Sequence, residues 1–384
     1  MSCWHRPCAG EPHEMRIKGV QIRMRILHTS DLHIGKRLKE QSLLEEQRYM
    51  LDQLLAIAIE QKMDAVFIAG DIYDKSIPSG EAVQLFDDFL TEMNSSGIAL
   101  YIVAGNHDSA DRIDFGSRIL DHNKVHIAGN DLKRVDVSDE HGAVSIWLLP
   151  YMRSSNVIAS LEAVSVDPSI RNIILSHQMV VSGDYSPEKS GSEVLSIGGI
   201  DAVNAGLYHL FDYVALGHIH RAQQAGAPHI LYSGSPYRYD FGECSHTKGV
   251  WLVDIPKKHE LTTSFIELTP KRDLYRISCT LAELPMQTAP RDGYIEVTLT
   301  DEEPIVDAMH KVRQVYPNTL HLDLKHRYVD RGAAHSLTKD DLLSKKPEEL
   351  FAIFFSEMNG AEMSPKQIAM IKEAAEGRIE LETT

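Results

Sequence analysis

The chain has 384 residues, of which 43% are hydrophobic, 24% charged and 7% aromatic. This composition excludes a disordered protein, a collagen-like repeat and a small disulfide scaffold, and it supplies enough apolar material for one large or two modest cores. The formal net charge of -16 argues against a generic polyanion binder, because proteins held to nucleic acid mainly through phosphates usually have a basic surface.

Residues 1–23 mix cysteine, histidine, proline and charge, without the apolar core of a signal peptide. We expect a disordered extension, or upstream sequence ahead of a true start at Met24. Cys3, His5, Cys8 and His13 could also bind a metal ion.

The four cysteines form no C-x-x-C pair, which argues against a disulfide framework and against a thiolate zinc site. A reducing cytoplasm fits this usage best. The apolar runs are all much shorter than the ~20 residues that a membrane helix needs. The sequence therefore predicts a cytoplasmic protein without a membrane segment.

From Met24 onward, short apolar runs alternate with amphipathic helical stretches. Such runs of β-branched and aliphatic residues are typical of buried strands. Five of them end in a cluster of polar residues, and these five are residues 25–29, 65–69, 99–104, 172–175 and 213–216. Open α/β sheets place their functional sites at the C-terminal ends of strands.

Two helices are predicted between the first strands. Ser42-Leu43-Leu44-Glu45 has the pattern of a capping box that opens a helix reaching about Gln61, and a second helix spans roughly residues 79–94. After Pro228, closely spaced strands at residues 229–233 and 249–254 predict a second sheet that packs on the first.

The composition changes again after Pro270. Strands near residues 275–281, 293–300 and 319–324, with a helix near 305–315, predict a small β-α-β-type module. With a net charge of -1 over residues 270–335, this module is the least acidic folded part and the best candidate to contact a phosphate backbone. From about Ser336 we expect two short helices with apolar faces, which either pack on their own domain or dock on a partner.

Chemistry-bearing residues are concentrated at the strand ends, and these residues are Asp31, His33, Asp71, Asn106, His107, Asp108, His177, His218 and His220. Oxygen and imidazole donors without cysteine suit Mn²⁺, Fe²⁺ or Zn²⁺ better than Mg²⁺ or Ca²⁺. The set is too large for one ion and about right for two, with the Asp71 carboxylate shared between them. Two such ions would equip the site to hydrolyse a phosphate ester.

The motifs S-D-L-H, G-D-I-Y-D, G-N-H-D, S-H and G-H-I-H, in this order and spacing, resemble the calcineurin-like metallophosphoesterase superfamily. Within it, G-N-H-D-S-A-D-R, D-Y-V-A-L-G-H-I-H-R, Y-S-G-S-P and K-G-V-W-L-V-D resemble the SbcD family of bacterial nuclease subunits. The resemblance implies an α/β fold: a two-sheet sandwich flanked by helices in α-β-β-α layers, plus a small α+β capping domain and C-terminal helices. The expected domains are a nuclease domain at 24–270, a DNA-binding capping domain at 271–335 and partner-binding helices at 336–384.

The resemblance also implies roles for the site residues. Asp31, His33 and His220 would hold a first metal, Asn106, His177 and His218 a second, and Asp71 would bridge them. His107 would be catalytic, stabilising charge on the scissile phosphate or protonating the leaving oxygen. Asp74 is a second catalytic candidate, because related phosphatases carry there an aspartate that orients the catalytic histidine, whereas archaeal nuclease relatives carry a histidine.

The function implied is that of a two-metal, Mn²⁺-dependent DNA nuclease. It would combine 3′→5′ double-strand exonuclease with single-strand and hairpin endonuclease activity, and would act with an SbcC-type ATPase on DNA ends in repair, recombination and replication. A homodimer is expected, through helices near residues 42–61 or 79–94. The alternatives are a phosphomonoesterase with the same site, and a scaffold with a degenerate site.

Overall fold

The computed structural model describes residues 24–183, 186–188, 202–325, 346–359 and 362–375. Our expectations for residues 1–23 fall outside this part of the chain. The described residues divide into two compact units, one formed by those up to residue 276 with 289–296, and the other by 277–288 with those from residue 297 onward. The domain boundaries that we inferred from the sequence stay predictions.

Strands and helices alternate through most of the described chain. The strands are β1 (Arg25–Thr29), β2 (Arg37–Leu38), β3 (Gln41–Ser42), β4 (Ala65–Ala69), β5 (Ala99–Val103), β6 (Val125–Ala128), β7 (Lys133–Asp139), β8 (Gly142–Leu149), β9 (Arg171–His177), β10 (Met179–Val181), β11 (Ala202–Asn204), β12 (Tyr213–Gly217), β13 (Gln223–Gln224), β14 (Ile230–Tyr232), β15 (Gly249–Lys257), β16 (Glu260–Glu267), β17 (Leu274–Cys279), β18 (Tyr294–Leu299) and β19 (Thr319–Leu324). The α-helices are α1 (Leu44–Glu60), α2 (Gly80–Ser95), α3 (Ala110–Ile113), α4 (Ser117–Leu120), α5 (Ser154–Ala163), α6 (Ala308–Val315), α7 (Pro347–Asn359) and α8 (Pro365–Ala375). Short 3₁₀ helices lie at Asp121–Asn123, Ala205–Tyr208, Phe241–Glu243 and Leu284–Met286.

Two six-stranded sheets form the first unit. The first sheet has the order β16-β15-β1-β4-β5-β6, in which β1, β4, β5 and β6 are parallel and β15 runs antiparallel to β1. The second has the order β13-β14-β12-β9-β8-β7, with a parallel centre and antiparallel strands at both edges. Our assignment of both strands after Pro228 to the second sheet is therefore wrong for β15, which returns to the first sheet beside β1.

The sheets pack face to face over a shared core that includes Phe67 and Tyr101 of the first sheet and Leu175 of the second. Because side chains alternate along a strand, Ile174 of β9 points away from this core and packs on the opposite face with Leu161 of α5. Helices α1 and α2 contact each other, and α2 lies against β5. The structure confirms the α-β-β-α layers of a metallophosphoesterase sandwich.

A buried histidine joins the two sheets beneath their C-terminal ends. His28 of β1 contacts the Tyr213 hydroxyl through Nδ1 at 2.7 Å and the Leu216 carbonyl through Nε2 at 3.2 Å, both in β12. Burial lowers the pKa of His28 to about 3, so the ring is neutral near pH 7. Its role here is structural.

Helix starts were predicted with mixed success. The capping box at Ser42 is wrong, because α1 begins at Leu44 after Leu43, without a side-chain capping bond. Ser42 is instead paired with Arg37 in the β2–β3 hairpin. At α8 a capping box does form, since the Ser364 amide donates to Gln367 Oε1 at 2.8 Å and the Gln367 amide donates back to Ser364 Oγ.

The three-stranded sheet β17-β18-β19 and α6 occupy the chain between Leu274 and Leu324, as the sequence predicts. Helices α7 and α8 contact each other. They leave Phe354 55% and Met370 59% exposed, so part of their apolar surface is uncovered.

Candidate metal centre

The C-terminal ends of β1, β4, β5, β9 and β12 meet at one edge of the sandwich. The polar residues that close or follow these strands are Asp31, His33, Asp71, Asn106, His107, His177, His218 and His220. All seven predicted ligand residues and His107 thus lie around one centre, linked by the contacts described below.

The backbone is strained at four of these residues. The φ angles of Asp31, His33, Asp71 and His218 are 53°, 42°, 50° and 95°, which side-chain-bearing residues rarely adopt. Such conformations persist only where the surrounding structure determines them. Here the Asp31 amide donates to the Gly70 carbonyl and the His33 amide to the Asp71 carbonyl, both at 2.9 Å.

Two glycines allow the strand ends to approach this closely. A Cβ on Gly105 would lie 2.2 Å from Asp71 Oδ1, and one on Gly217 would lie 1.8 Å from the Ala69 carbonyl oxygen. Neither distance is sterically possible, so any side chain at these positions would push the strand ends apart.

Asp31, His33 and His220 form the first group of ligand candidates, and all three are buried. The Nε2 atoms of His33 and His220 lie 3.1 Å apart. One ligand atom from each of the three side chains lies within 4.8 Å of the others, which is compact enough to hold a single ion. The Asp31 carboxylate also accepts from the backbone amide of His218 at 3.1 Å, so its orientation is fixed.

Two residues that the sequence analysis did not identify hold His220 on the Nδ1 side of its ring. Its Nδ1 lies 3.0 Å from Glu243 Oε1, and Glu243 in turn pairs with Lys248 Nζ at 2.6 Å. Both charged side chains are buried. Because Glu243 comes 23 residues after His220 and follows no strand, the sequence carries no spacing signal for this contact.

Asn106, His177 and His218 form the second group. Asn106 Oδ1 lies 3.1 Å from His177 Nε2 and 2.9 Å from His218 Nδ1. His177 Nδ1 donates to the Ala69 carbonyl at 2.7 Å, which leaves Nε2 as the ring atom available at the centre. The three side chains therefore converge on one point. That they hold a second metal ion stays a prediction.

Asp71 lies between the two groups. Its Oδ2 atom is 3.6 Å from His33 Nε2 on one side and 3.4 Å from His177 Nε2 on the other. Its other oxygen, Oδ1, accepts the backbone amide of His107 at 2.8 Å. Oδ2 of Asp71 thus faces a histidine of each group. Asp31 also has a ligand atom within 4.8 Å of those of Asp71 and His177.

His107 packs edge-on against His33, with ring centroids 4.8 Å apart. Its Nδ1 donates to the backbone carbonyl of Asp74 at 2.9 Å, so a carbonyl rather than a carboxylate orients this ring. The Asp74 carboxylate instead lies 2.8 Å from Lys36 Nζ and 4.0 Å from His33 Nδ1. A catalytic role for Asp74 stays a prediction.

Asp108 has a structural task that the sequence motif did not reveal. Its carboxylate accepts the backbone amides of Ile72, Tyr73 and Gly105 at 3.1, 3.0 and 2.9 Å. Burial and the nearby charge of Asp71 raise the pKa of Asp108 to about 6. Asp108 thus fixes the loop after β4 against the loop after β5.

The electrostatics of the cluster favour positive charge. Burial raises the pKa of Asp31 above its ordinary value. Burial would also raise the pKa of Asp71, but the His177 ring beside it holds that pKa below the usual range. Burial opposes protonation of His177, yet the Asp71 charge raises the pKa of this ring to about 9. Carboxylates this deeply buried need a proton or a cation as a partner.

The donor set fits a divalent metal centre. Carboxylate, amide and imidazole atoms without thiolate match the preference of first-row divalent ions. The contacts of His177 with Ala69 and of His220 with Glu243 are the supporting hydrogen bonds that metal-binding histidines usually have.

Among the described residues, no helix combines the length and apolar character needed to cross a membrane.

Comparison with known proteins identifies two matching families. Residues 24–222 match the calcineurin-like phosphoesterase family, and residues 270–359 match the SbcD C-terminal family, described as a type 5 capsule protein repressor C-terminal domain. The SbcD component of the SbcCD nuclease from Staphylococcus epidermidis is 31% identical over 321 residues, covering 78% of this chain and 85% of that protein.

Similar solved structures include one from Thermus thermophilus, at 14% identity and a TM-score of 0.40, which covers 64% of this chain and 99% of that one. Another is a dimetal phosphatase from Danio rerio, at 11% identity and a TM-score of 0.37, covering 63% of this chain and 99% of that one.

Proposed function

Because the chain belongs to the SbcD family of calcineurin-like phosphoesterases, we propose that this metal-dependent phosphodiesterase is the nuclease subunit that hydrolyses DNA in an SbcCD-type complex. Its proposed activities are 3′→5′ exonuclease on duplex ends and endonuclease on single strands and hairpins. The proposed setting is the processing of DNA ends during repair and recombination in the cytoplasm.

The position of Asp71 carries the two-metal proposal. Its Oδ2 atom lies 3.6 Å from a histidine of the first group and 3.4 Å from a histidine of the second. A carboxylate so placed can bridge two ions ~3.5–4 Å apart, the separation found in two-metal hydrolases. In our assignment Asp31, His33 and His220 hold one ion and Asn106, His177 and His218 the other, with Mn²⁺ as the proposed metal.

Bound divalent ions would supply Lewis acidity, activate water near neutral pH and stabilise the negative charge that develops on the phosphate. The chain's own residues supply position and a proton donor. His107 carries a hydrogen on Nδ1, because the Asp74 carbonyl that it contacts can only accept. Nε2 is therefore the nitrogen that can face the substrate, and it carries a hydrogen when the ring is doubly protonated. In that form Nε2–H can stabilise charge on the scissile phosphate or protonate the leaving oxygen.

The region after residue 270 favours DNA over a small phosphomonoester. Residues 270–359 match a domain family named after SbcD, whereas the phosphoesterase match ends at residue 222. Residues 270–335 carry a net charge of only -1, compared with -13 for residues 24–269. A duplex backbone is repelled least by this part of the chain.

The decisive measurement compares substrates. Purified protein with Mn²⁺ is given end-labelled duplex DNA, a DNA hairpin and p-nitrophenyl phosphate, with EDTA-treated protein as the control. We expect Mn²⁺-dependent release of nucleotides from the duplex and opening of the hairpin, with slower turnover of the monoester. Rapid monoester turnover with inert DNA would contradict the nuclease assignment and favour the phosphatase alternative.

We also propose a homodimer. We place its interface on exposed apolar side chains just before α2 and in the segment after His107, and not on the helices near residues 42–61 or 79–94 that we expected from the sequence. Ile77 is 70% exposed, Phe115 86% and Ile119 72%. Arg112 Nη1 donates to the Ser76 carbonyl at 3.1 Å, which holds the two segments side by side. Large apolar side chains gathered in this way are typical of a protein interface.

Replacing both Phe115 and Ile119 with aspartate should convert the dimer to a monomer, because a charged pair on each subunit would meet its own copy across a two-fold axis. The molar mass measured by light scattering during size-exclusion chromatography reports the change. Leu210→Asp is the matched control, since Leu210 is 44% exposed in a different part of the unit. A double variant that still elutes as a dimer would place the interface elsewhere.

The proposed protein partner is an SbcC-type ATPase, which would bind α7 and α8. These helices contact each other and leave large apolar side chains exposed, among them Phe351, Phe354, Ile368 and Met370. A helix pair with an uncovered apolar surface is suited to docking on another protein.

A further inference from the structure

A buried ion pair stands directly behind the proposed metal ligand His220. Glu243 is 0% exposed and Lys248 5% exposed, and their charged groups are 2.6 Å apart. Burying two charges is costly, and an apolar pair of similar size would often stabilise a fold as well or better. The position of this pair therefore calls for a specific explanation.

The ammonium group of Lys248 has three polar partners. Its Nζ atom donates to the carbonyl of His220 at 2.8 Å and to Ser235 Oγ at 2.8 Å, and it pairs with Glu243 Oε2. An ammonium group has three hydrogens, and each of these three contacts can take one of them. Lys248 thus fixes both the backbone of His220 and the carboxylate of Glu243.

Glu243 uses its other oxygen to fix the ring of His220. Oε1 lies 3.0 Å from His220 Nδ1, and a carboxylate that is ionised beside Lys248 can only accept. The hydrogen of the neutral ring is therefore on Nδ1. The lone pair of Nε2 then faces His33 Nε2, 3.1 Å away, where our assignment places an ion.

We propose that Glu243 is a positioning residue that sets the tautomer and orientation of His220 for metal binding, and that Lys248 holds Glu243 in place. This inference rests on the proposed assignment of His220 as a ligand. Supporting hydrogen bonds of this kind typically change metal affinity about 10–100-fold when they are removed. The effect should concern one of the two ions, the one held by Asp31, His33 and His220.

The test measures Mn²⁺ binding by isothermal titration calorimetry, which does not depend on activity. The first double variant combines Glu243→Leu with Lys248→Met, so neither partner is left as an unpaired buried charge. In this variant we expect the binding of one of the two Mn²⁺ ions to weaken about 10–100-fold. The second double variant combines Glu243→Gln with Lys248→Met. The amide oxygen of the glutamine can still accept from His220 Nδ1, so we expect most of the Mn²⁺ affinity of the wild type to be kept. Equal loss in both variants would overturn the positioning role.

A matched control removes a second buried ion pair at the opposite end of β9. The Arg171 and Asp139 side chains are 2% and 1% exposed. Replacing them with Met and Leu should lower stability without changing Mn²⁺ affinity. If the wild type binds no Mn²⁺, the proposed function is wrong. If the wild type binds two ions and the Glu243→Leu double variant binds both with the affinity of the wild type, only the present inference is wrong.

A second measurement reads the position of the His220 hydrogen in the wild type, and it uses a variant only to assign the resonance. Imidazole ¹⁵N NMR of the wild type, loaded with diamagnetic Zn²⁺, reports which nitrogen of His220 carries hydrogen. We expect a hydrogen-bonded Nδ1–H, with the resonance assigned by its shift in the Glu243→Gln variant. A hydrogen on Nε2 would overturn the inference.

Discussion

We expect Asp71→Asn to lower Mn²⁺-dependent DNA hydrolysis by about 10³-fold or more and to abolish the binding of two ions. A Lewis-acid metal contributes several kcal/mol to stabilisation of a transition state, and each 1.36 kcal/mol corresponds to a tenfold change in rate, which gives this magnitude. Asparagine has nearly the same shape as aspartate, so the change removes charge and bridging capacity while disturbing the packing little.

The local geometry explains why Asp71 is assigned the bridging position. Its Oδ2 lies 3.6 Å from His33 Nε2 and 3.4 Å from His177 Nε2. The Asn106 side chain contacts His177 and His218 of the second group. The Asp31 carboxylate accepts the backbone amide of His218, which holds it in its own position. Single-turnover cleavage of end-labelled duplex and Mn²⁺ calorimetry measure the two effects separately.

Asp88→Asn is the matched control, because it makes the same chemical change on the exposed side of α2, where Asp88 pairs with Arg48 at 3.2 Å. It should leave both metal binding and the cleavage rate unchanged. If Asp71→Asn bound two ions with the affinity of the wild type, Asp71 would not be a bridging ligand and the two-metal assignment would be wrong.

His107→Asn should separate chemistry from metal binding. General acid catalysis contributes about 10²–10⁴-fold, and we expect a loss in this range in the single-turnover rate. The Mn²⁺ titration should match that of the wild type, because His107 is not among the proposed ligands. This combination of a lost rate and retained binding identifies a residue that acts on the phosphate.

The position of the His107 ring supports this expectation. It lies next to His33 and is anchored at Nδ1 by the Asp74 carbonyl, so its Nε2 is available on the other side of the ring. The exposed His122 provides the control, since His122→Asn should change neither quantity. Loss of Mn²⁺ binding in His107→Asn would instead indicate that His107 helps to hold an ion.

The residues that meet at this centre could be selected from the sequence because they follow a simple rule. Each comes at or just after the C-terminal end of a strand, and periodicity identifies buried strands in one sequence. The contacts that support the ligands follow no such rule. Glu243 reaches His220 from a 3₁₀ helix, and the His107 ring is held by a backbone carbonyl, which no side-chain motif encodes.

The errors in the fold have local physical causes. Residues 42–45 match a capping box, but pairing of Ser42 with Arg37 in a hairpin takes the backbone of Ser42 out of the geometry that a cap requires. Strand β15 has the same apolar character as β14, yet it pairs with β1 instead of extending the second sheet. Which sheet a strand joins depends on partners distant in sequence, and apolar periodicity carries no information about them.

His33 and His220 are 187 residues apart in sequence, yet they contact each other where the first and second sheets meet. On the proposed assignment, a bound ion is a reversible cross-link between the two halves of the sandwich, and it forms only after both have folded. Ligands that bind only the native state stabilise it by mass action, by about 2.7 kcal/mol at a free concentration 100 times Kd. Metal supply would then affect the free energy of unfolding as well as the rate of catalysis, and chelation would raise the fraction of unfolded chain that proteases can cleave.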